Sequence, residues 1–144
     1  MDNLTTIKAA ERAPDLRATH SLVAKWGDAI GAGSGFVAVP VTLLRMQSKL
    51  GLTATDMMVL VNLLAHWWNP QAAVFPRTTT IAQRMNVNER TIQRSMKRLV
   101  RLGLAERGAD EFGRRTYRFD GLVARLRKDL PMAMRIKGLE SLDA

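Results

Sequence analysis

The turn at residues 86–88 constrains the fold of this chain more than any other stretch of its sequence. Asn86 falls where such a turn needs a positive φ, which asparagine tolerates better than most residues other than glycine. Asn88 is a good N-cap, because its side-chain oxygen can accept from an unpaired backbone N–H. Before the turn, Ile81 and Met85 share one face of a short helix. The sequence therefore predicts two helices joined by a tight turn.

The helix predicted after the turn, from Glu89 to Leu102, is amphipathic and strongly basic on one face. Ile92, Met96 and Leu99 recur at spacings of four and three, and Gly103 is a typical helix terminator. Glu89 is the only acid of this helix, so few ion pairs can neutralise its cations. Those cations are Arg90, Arg94, Lys97, Arg98 and Arg101. A solvated charged surface is the plain alternative, but this face is typical of a helix in a DNA major groove.

A basic hairpin is predicted directly after this helix. Its strands are expected at residues 104–107 and 114–119, with a polar, Gly-bounded connection at 108–113. The alternation of the second strand places Tyr117 and Phe119 inward. The acids Asp110 and Glu111 do not suit contact with DNA, so we expect the tip to point away from it. The expected contacts to a phosphate backbone or minor groove are Arg114, Arg115 and Arg118.

The positive charge of the chain is concentrated on this same stretch. The formal net charge is +9 over 144 residues. Residues 77–118 hold eleven Lys or Arg and four Asp or Glu, a net of +7, and the rest of the chain supplies +2. Charge gathered on a folded motif indicates nucleic-acid binding more than attraction to a membrane surface.

The stretch from Leu52 to Phe119 resembles the winged helix-turn-helix superfamily. It is most similar to the type found in phage and plasmid replication-initiation proteins and in small bacterial transcription regulators. The resemblance rests on Leu52-Thr53, Phe75-Pro76, Ile81-Ala82, residues 86–88, residues 90–94, Leu99 and Gly103-Leu104. It implies a mainly α fold with a small β-hairpin wing and flanking N- and C-terminal helices. Two positions depart from the pattern: Arg77 replaces a common Ser cap, so Thr78 is the expected cap, and Ser95 replaces a small apolar residue.

The remaining sequence predicts further helices on both sides of the motif. Residues 1–35 are predicted to form an N-terminal extension with a helix capped by Ser21 and a Gly-rich joint at 31–35. Residues 36–120 form the winged domain. Residues 121–144 form a helical extension that is interrupted at Pro131. The apolar face of the N-terminal helix comprises Leu22, Val23, Trp26 and Ile30. Within the winged domain, a helix ahead of the one that begins at Thr53 has Leu43, Leu44, Met46 and Leu50 on its apolar face.

The first helix of the winged domain is predicted to start with a capping box at Thr53 and Asp56. An apolar stripe follows, formed by Met57, Leu60, Val61, Leu64, Trp67 and Trp68. Such a stripe is far more often protein core than a cofactor site. We therefore expect it to be buried.

The expected role is sequence-specific binding of double-stranded DNA. Bases would be contacted by Arg90 and Arg94 at guanine and by Asn88 or Gln93 at adenine, and Thr91 would touch a thymine methyl or a phosphate. Phosphate contacts would come from Arg77, Arg84, Lys97, Arg98, Arg101, Arg114, Arg115 and Arg118, and Thr79 and Glu89 complete the expected site.

Transcription regulation in a bacterium, phage or plasmid is the favoured role, and a DNA-binding replication-initiation or plasmid-maintenance module that recruits other proteins is the alternative. We expect a homodimer, formed through a flanking helix, although each such helix could instead fold back on its own domain. The location is expected to be cytoplasmic, with the nucleoid. With two His and no Cys, we expect no metal, no cofactor and no catalysis.

Overall fold

The computed structural model of the chain describes residues 16–30 and 35–135. The chain divides into two compact units, Met1–Phe36 and Val37–Ala144. The predicted division at residues 35 and 120 stays a prediction. Residues 31–34 of the predicted Gly-rich joint lie outside the described residues.

The first unit contains helix α1, Leu16–Trp26, followed by a 3-10 helix, Gly27–Ile30. The prediction that Ser21 caps the helix is wrong, because Ser21 lies in its interior. Val23 and Trp26 are exposed.

Helix α2, Val41–Met46, opens the second unit. Pro40 precedes it with a φ of −58°, which suits the entry to a helix. Leu43 and Met46 are buried, but Leu44 is half exposed, so its predicted place on the apolar face is wrong. Successive helical residues point about 100° apart, and Leu44 is turned away from the side of α2 that buries Leu43 and Met46.

Helix α3, Ala54–Leu64, begins with the predicted capping box, which is confirmed. The Thr53 hydroxyl accepts from the Asp56 N–H at 3.1 Å, and the Asp56 carboxylate accepts from the Thr53 N–H at 3.0 Å. The helix ends before both tryptophans. Trp67 packs on Phe119 with ring centroids 5.5 Å apart. Trp68 is 72% exposed, so its predicted place in the core is wrong.

Helices α4, Thr78–Met85, and α5, Glu89–Arg101, meet at the predicted turn. Asn86 has a φ of 52°, and the Asn88 side chain accepts from the Arg90 N–H at 2.9 Å, so both predictions are confirmed. The prediction that Thr78 caps α4 is wrong. Arg77 occupies the N-cap position without a side-chain hydrogen bond, and Thr78 is the first helical residue.

The hairpin comprises β1, Glu106–Ala109, and β2, Arg115–Arg118, in an antiparallel register that pairs Gly108 with Thr116. The first strand starts two residues later than predicted. Val74 adds a backbone bridge to Tyr117, with N···O distances of 2.8 and 3.0 Å. Tyr117 and Phe119 are buried as predicted. Thr116 is buried as well, contrary to the predicted alternation, and its hydroxyl lies so close to Gly108 that a Cβ there would come within 3.1 Å of it.

Helix α6, Asp120–Ala133, follows the hairpin and packs against α2. The Glu106 carboxylate accepts from the Gly121 N–H at 2.6 Å and satisfies one of the donors at the helix start. The predicted interruption at Pro131 is wrong, since the helix continues to Ala133. Pro131 lacks the N–H that would bond to the carbonyl one turn earlier, and the helix ends two residues after it. Arg45 donates to the Ala133 carbonyl at 3.1 Å and ties the end of α6 to α2.

The core of the second unit lies between the helices α2 to α6 and the hairpin. Its largest fully buried side chains include Leu43, Leu60, Ile92, Leu99 and Phe119. The mainly α architecture with one small hairpin confirms the predicted fold class. In the described ranges, no helix is both long and apolar enough to cross a membrane.

Candidate nucleic-acid interface

Helix α5 presents a basic stripe on the side opposite its buried face. Ile92, Ser95, Met96 and Leu99 are buried, which fixes the rotation of the helix. Four cations on the opposite side, at spacings of four, three and four residues, are all exposed. In the described part of the chain, none of the four is within ion-pair distance of an acid. This set, called the basic stripe below, comprises Arg90, Arg94, Lys97 and Arg101.

The N-terminal end of α5 carries the other polar residues that the sequence assigned to base contacts. Asn88 and Gln93 are exposed and Thr91 is half-buried. The Asn88 side-chain oxygen already accepts from the backbone N–H of Arg90 as the N-cap of α5. Bidentate contact to adenine needs both a donor and an acceptor. Gln93, whose amide makes no hydrogen bond with a described residue, is therefore better placed for it than Asn88.

Glu89 makes a cross-helix contact at the same end of α5. The Thr78 hydroxyl donates to its Oε1 at 2.5 Å. Thr78 therefore joins the start of α4 to the start of α5. Thr79, also expected in the site, is exposed on α4.

Arg98 is directed to the interior rather than to the basic stripe. Its Nη1 lies 2.9 and 3.1 Å from the two carboxylate oxygens of Asp56, and the Ser95 hydroxyl donates to Oδ1 at 2.9 Å. Burial by itself would raise the pKa of Asp56, but hydrogen bonds from Thr53, Arg98 and Ser95 outweigh it and lower the pKa below its ordinary value. The polar side chain at position 95 is therefore explained by its hydrogen bond to a buried carboxylate.

Two of the three predicted hairpin cations have acidic partners. Arg114 pairs with Asp110 at 2.7 Å and lies 4.7 Å from the centre of the Phe75 ring. Arg118 pairs with Asp120 at 3.0 Å and donates to the Gln71 carbonyl at 3.1 Å. Arg115 is exposed and has no ion pair among the described residues.

The Asp110 carboxylate organises the turn of the hairpin. It accepts from the backbone N–H groups of Phe112 and Arg114 at 2.9 and 2.7 Å. Partial desolvation acts to raise the pKa of Asp110, but these bonds and the Arg114 charge lower it below its ordinary value. Asp110 is thus engaged within the turn, which suits the expectation that the tip does not contact DNA.

A groove of about 540 Å³ separates α5 from the hairpin. Lys97 bounds it on the helix side, and Arg107 and Arg115 bound it on the strand side. The other lining residues are Pro76, Thr78, Gln93, Met96 and Tyr117. Three cations around an open groove can neutralise a phosphate backbone.

The sequence-based prediction omitted Arg107 from this site. It placed the first strand at residues 104–107 and assigned no role to the side chain at its end. In the observed register, Arg107 pairs with Tyr117 and therefore projects on the same face of the hairpin as Arg115. Correct pairing of the strands is the signal that would have found it.

The remaining predicted contacts lie on or beside α4. Arg77 and Arg84 are exposed. Arg84 is 3.5 Å from the Asn62 side-chain oxygen, a contact at the limit of hydrogen bonding. No group of three His, Cys, Asp or Glu suited to a metal ion occurs within residues 16–30 and 35–135.

Residues 50–105 match the family model of a helix-turn-helix domain. The matched segment begins shortly after α2, contains α3, α4 and α5, and ends just before the hairpin. Residues 50–105 and the hairpin after them have a winged helix-turn-helix fold. The hairpin is its wing, and DNA binding is the general role to which such a domain points. The match likewise points to a binding domain and away from an enzyme.

Two solved structures are similar to the chain. One is the N-terminal domain of DnaD protein from Geobacillus kaustophilus HTA426, with a TM-score of 0.53 and 22% identity over 83% of this chain and 93% of that one. This likeness supports the winged helix-turn-helix fold alone. The other is a mutant of MepR from S. aureus bound to an oligodeoxyribonucleotide, with a TM-score of 0.44 and 16% identity over 72% of this chain and 78% of that one. No curated protein sequence matches the chain.

Proposed function

We propose that this chain binds double-stranded DNA sequence-specifically, with α5 in the major groove. The observation that carries the proposal is the basic stripe, four exposed cations without an ion pair among the described residues, on the second helix of a helix-turn-helix domain. A stripe without acidic partners attracts phosphates over the whole length of the helix. Its N-terminal part would reach base edges.

The cations divide into base readers and backbone contacts. Arg90 and Arg94 lie in the first two turns of α5 and would make bidentate contacts to guanine, while Gln93 would contact adenine. Backbone contacts would come from Lys97 and Arg101, from Arg107 and Arg115 across the groove, and from Arg77 and Arg84. If about five phosphates are neutralised per protomer, log K falls with log salt at a slope near −4.5.

Arg98, Arg114 and Arg118 contribute less in this proposal, because each pairs with an acid in the fold. An ion-paired guanidinium would first have to give up its carboxylate before it could neutralise a phosphate. The exposed pairs of Arg114 and Arg118 are weak enough to exchange, and the Arg98 pair with a buried carboxylate is not.

The biological role proposed is transcription regulation by a homodimer in a bacterium, phage or plasmid, with the protein located in the cytoplasm at the nucleoid. Val123 and Leu130 on α6, and Met134 directly after its end, are exposed apolar side chains at spacings of seven and four. A second copy of the chain could bury these side chains. Two domains related by a two-fold axis would then read paired half-sites.

Selection of bound duplexes from a random DNA pool tests the proposal, at about 150 mM salt so that weak backbone binding is screened. An inverted repeat is expected. Direct repeats or a single half-site would favour a replication-initiation or plasmid-maintenance module, and recovery of no common sequence would refute sequence-specific binding. Arg94→Ala should weaken binding to the selected sequence far more than to random DNA. Arg101→Ala, the matched control, should weaken both about equally.

A further inference from the structure

The first residue of α5 is an acid at the edge of an otherwise basic surface. Glu89 is half-buried, and its Oε1 accepts the hydroxyl hydrogen of Thr78 at 2.5 Å. No described residue donates to its Oε2. The carboxylate is thus held by one oxygen, with the other available beside the base-reading end of the helix.

A carboxylate at this position suits a base edge and does not suit the DNA backbone. Phosphates repel it, whereas amino groups in the major groove can donate to it. Adenine presents its N6 amino group next to the N7 acceptor, which repels a group that can only accept. Cytosine presents its N4 amino group as its hydrogen-bonding group in the major groove. Oε2 of Glu89 therefore matches cytosine better than the other three bases.

We propose that Glu89 selects a cytosine in the DNA site, and that Thr78 positions the Glu89 carboxylate for this contact. The inference rests on the proposed function, since it assumes that α5 enters the major groove. Thr78 belongs to α4, eleven residues from Glu89, so the hydrogen bond fixes the side chain from a second helix. A side chain held in place before binding loses less conformational entropy when it meets the base.

The experiment is the duplex selection repeated with three variants. Glu89→Gln keeps the size of the side chain and introduces a donor. Thr78→Val keeps the shape of the threonine and removes its hydroxyl. Glu111→Gln is the matched control, because it removes one negative charge at the exposed tip of the wing.

Wild type is expected to select cytosine at one position of each half-site. Glu89→Gln should lose about 5- to 150-fold of the preference for cytosine at that position only. Thr78→Val should lose a smaller part of the same preference. Glu111→Gln should retain the full preference.

Three results would overturn the inference. The first is an unchanged cytosine preference in Glu89→Gln. The second is a uniform rise in affinity for every duplex in that variant, as expected if Glu89 only repels DNA. The third is a lower free energy of unfolding, measured with urea, for both Glu89→Gln and Thr78→Val without any change in base preference. That result is expected if the hydrogen bond only joins two helices. In each of these, the wild type still selects a motif, so the proposed function stands. If the wild type selects no motif, both proposals fail.

Discussion

Replacing Arg98 with methionine tests whether this arginine belongs to the interior or to the DNA-binding surface. In the fold, its guanidinium contacts both carboxylate oxygens of Asp56, a side chain that is 0% exposed. Methionine keeps most of the aliphatic stem and removes the charge and the donors. The Asp56 carboxylate would then keep its hydrogen bonds from Ser95 and Thr53 but lose its counter-charge.

The expected loss follows from the burial of the two partners. Breaking a fully buried ion pair by removing one partner typically costs about 3–5 kcal/mol, because a buried charge is left uncompensated. The Arg98 side chain is 37% exposed, so solvent screens part of the interaction. We therefore expect Arg98→Met to lower the free energy of unfolding by about 2–3 kcal/mol at neutral pH. Adding Asp56→Asn, which removes the isolated charge, should restore part of that loss.

The assay is urea unfolding followed by circular dichroism, measured from neutral to acidic pH. The wild-type pKa of Asp56 is lowered in the fold, so its contribution is present above the unfolded pKa of about 3.9 and is lost as pH falls through the lower folded pKa. Arg98→Met removes one of the hydrogen bonds that lower the pKa of Asp56, so its folded pKa should be higher than in the wild type, and protonation would relieve the uncompensated charge. The stability difference between the two proteins should therefore narrow as the pH falls below about 4.

The matched control is Arg101→Met, which removes an exposed cation from the same helix. We expect it to change stability by less than about 0.5 kcal/mol and to weaken DNA binding. The reasoning is refuted if Arg98→Met keeps wild-type stability and weakens DNA binding as much as Arg101→Met does. Arg98 would then be a phosphate contact, as the sequence alone suggested.

Three further substitutions test other parts of the site. Asn86→Ala should lower the free energy of unfolding by about 1 kcal/mol in urea, because alanine tolerates the positive φ poorly, and Asn86→Gly should not. Equal losses in the two variants would mean that the side-chain amide itself stabilises the turn. Arg107→Ala should reduce the magnitude of the salt slope of DNA binding by about 0.9, whereas Arg127→Ala on α6 should leave the slope unchanged. An unaltered slope in Arg107→Ala would show that Arg107 does not contact DNA. Asp110→Ala should release Arg114 from its ion pair and increase the magnitude of the salt slope of DNA binding, and an unaltered slope would show that the pair does not keep Arg114 from DNA.

Features determined by neighbouring residues could be predicted from the sequence. The left-handed Asn86, the Asn88 cap and the Thr53–Asp56 capping box all depend on contacts within a few residues, and all are present. The buried face of α5 also followed from its period, because a basic helix can bury only its apolar side. These elements define most of the helix-turn-helix.

Features that depend on distant residues could not be predicted in the same way. Trp68 continues the apolar pattern of α3, but that helix ends at Leu64 and leaves the ring exposed. Pro131 gives up one backbone hydrogen bond, yet α6 continues past it to Ala133, whose carbonyl accepts from Arg45. The position of Arg107 required the register of the hairpin, which the turn at Asp110 determines through three hydrogen bonds.

The sequence shows how many cations the motif contains, but the fold decides which of them are available to DNA. Arg98 and Lys97 are adjacent, yet one is bound to a carboxylate 42 residues away and the other faces the groove beside the wing. Arg114 and Arg115 differ in the same manner, because only the first is held by Asp110. An unpaired cation gains more from a phosphate than a paired one, which must first give up its partner. The salt dependence of binding should therefore follow the number of unpaired cations on α5 and the wing, and not the net charge of the segment.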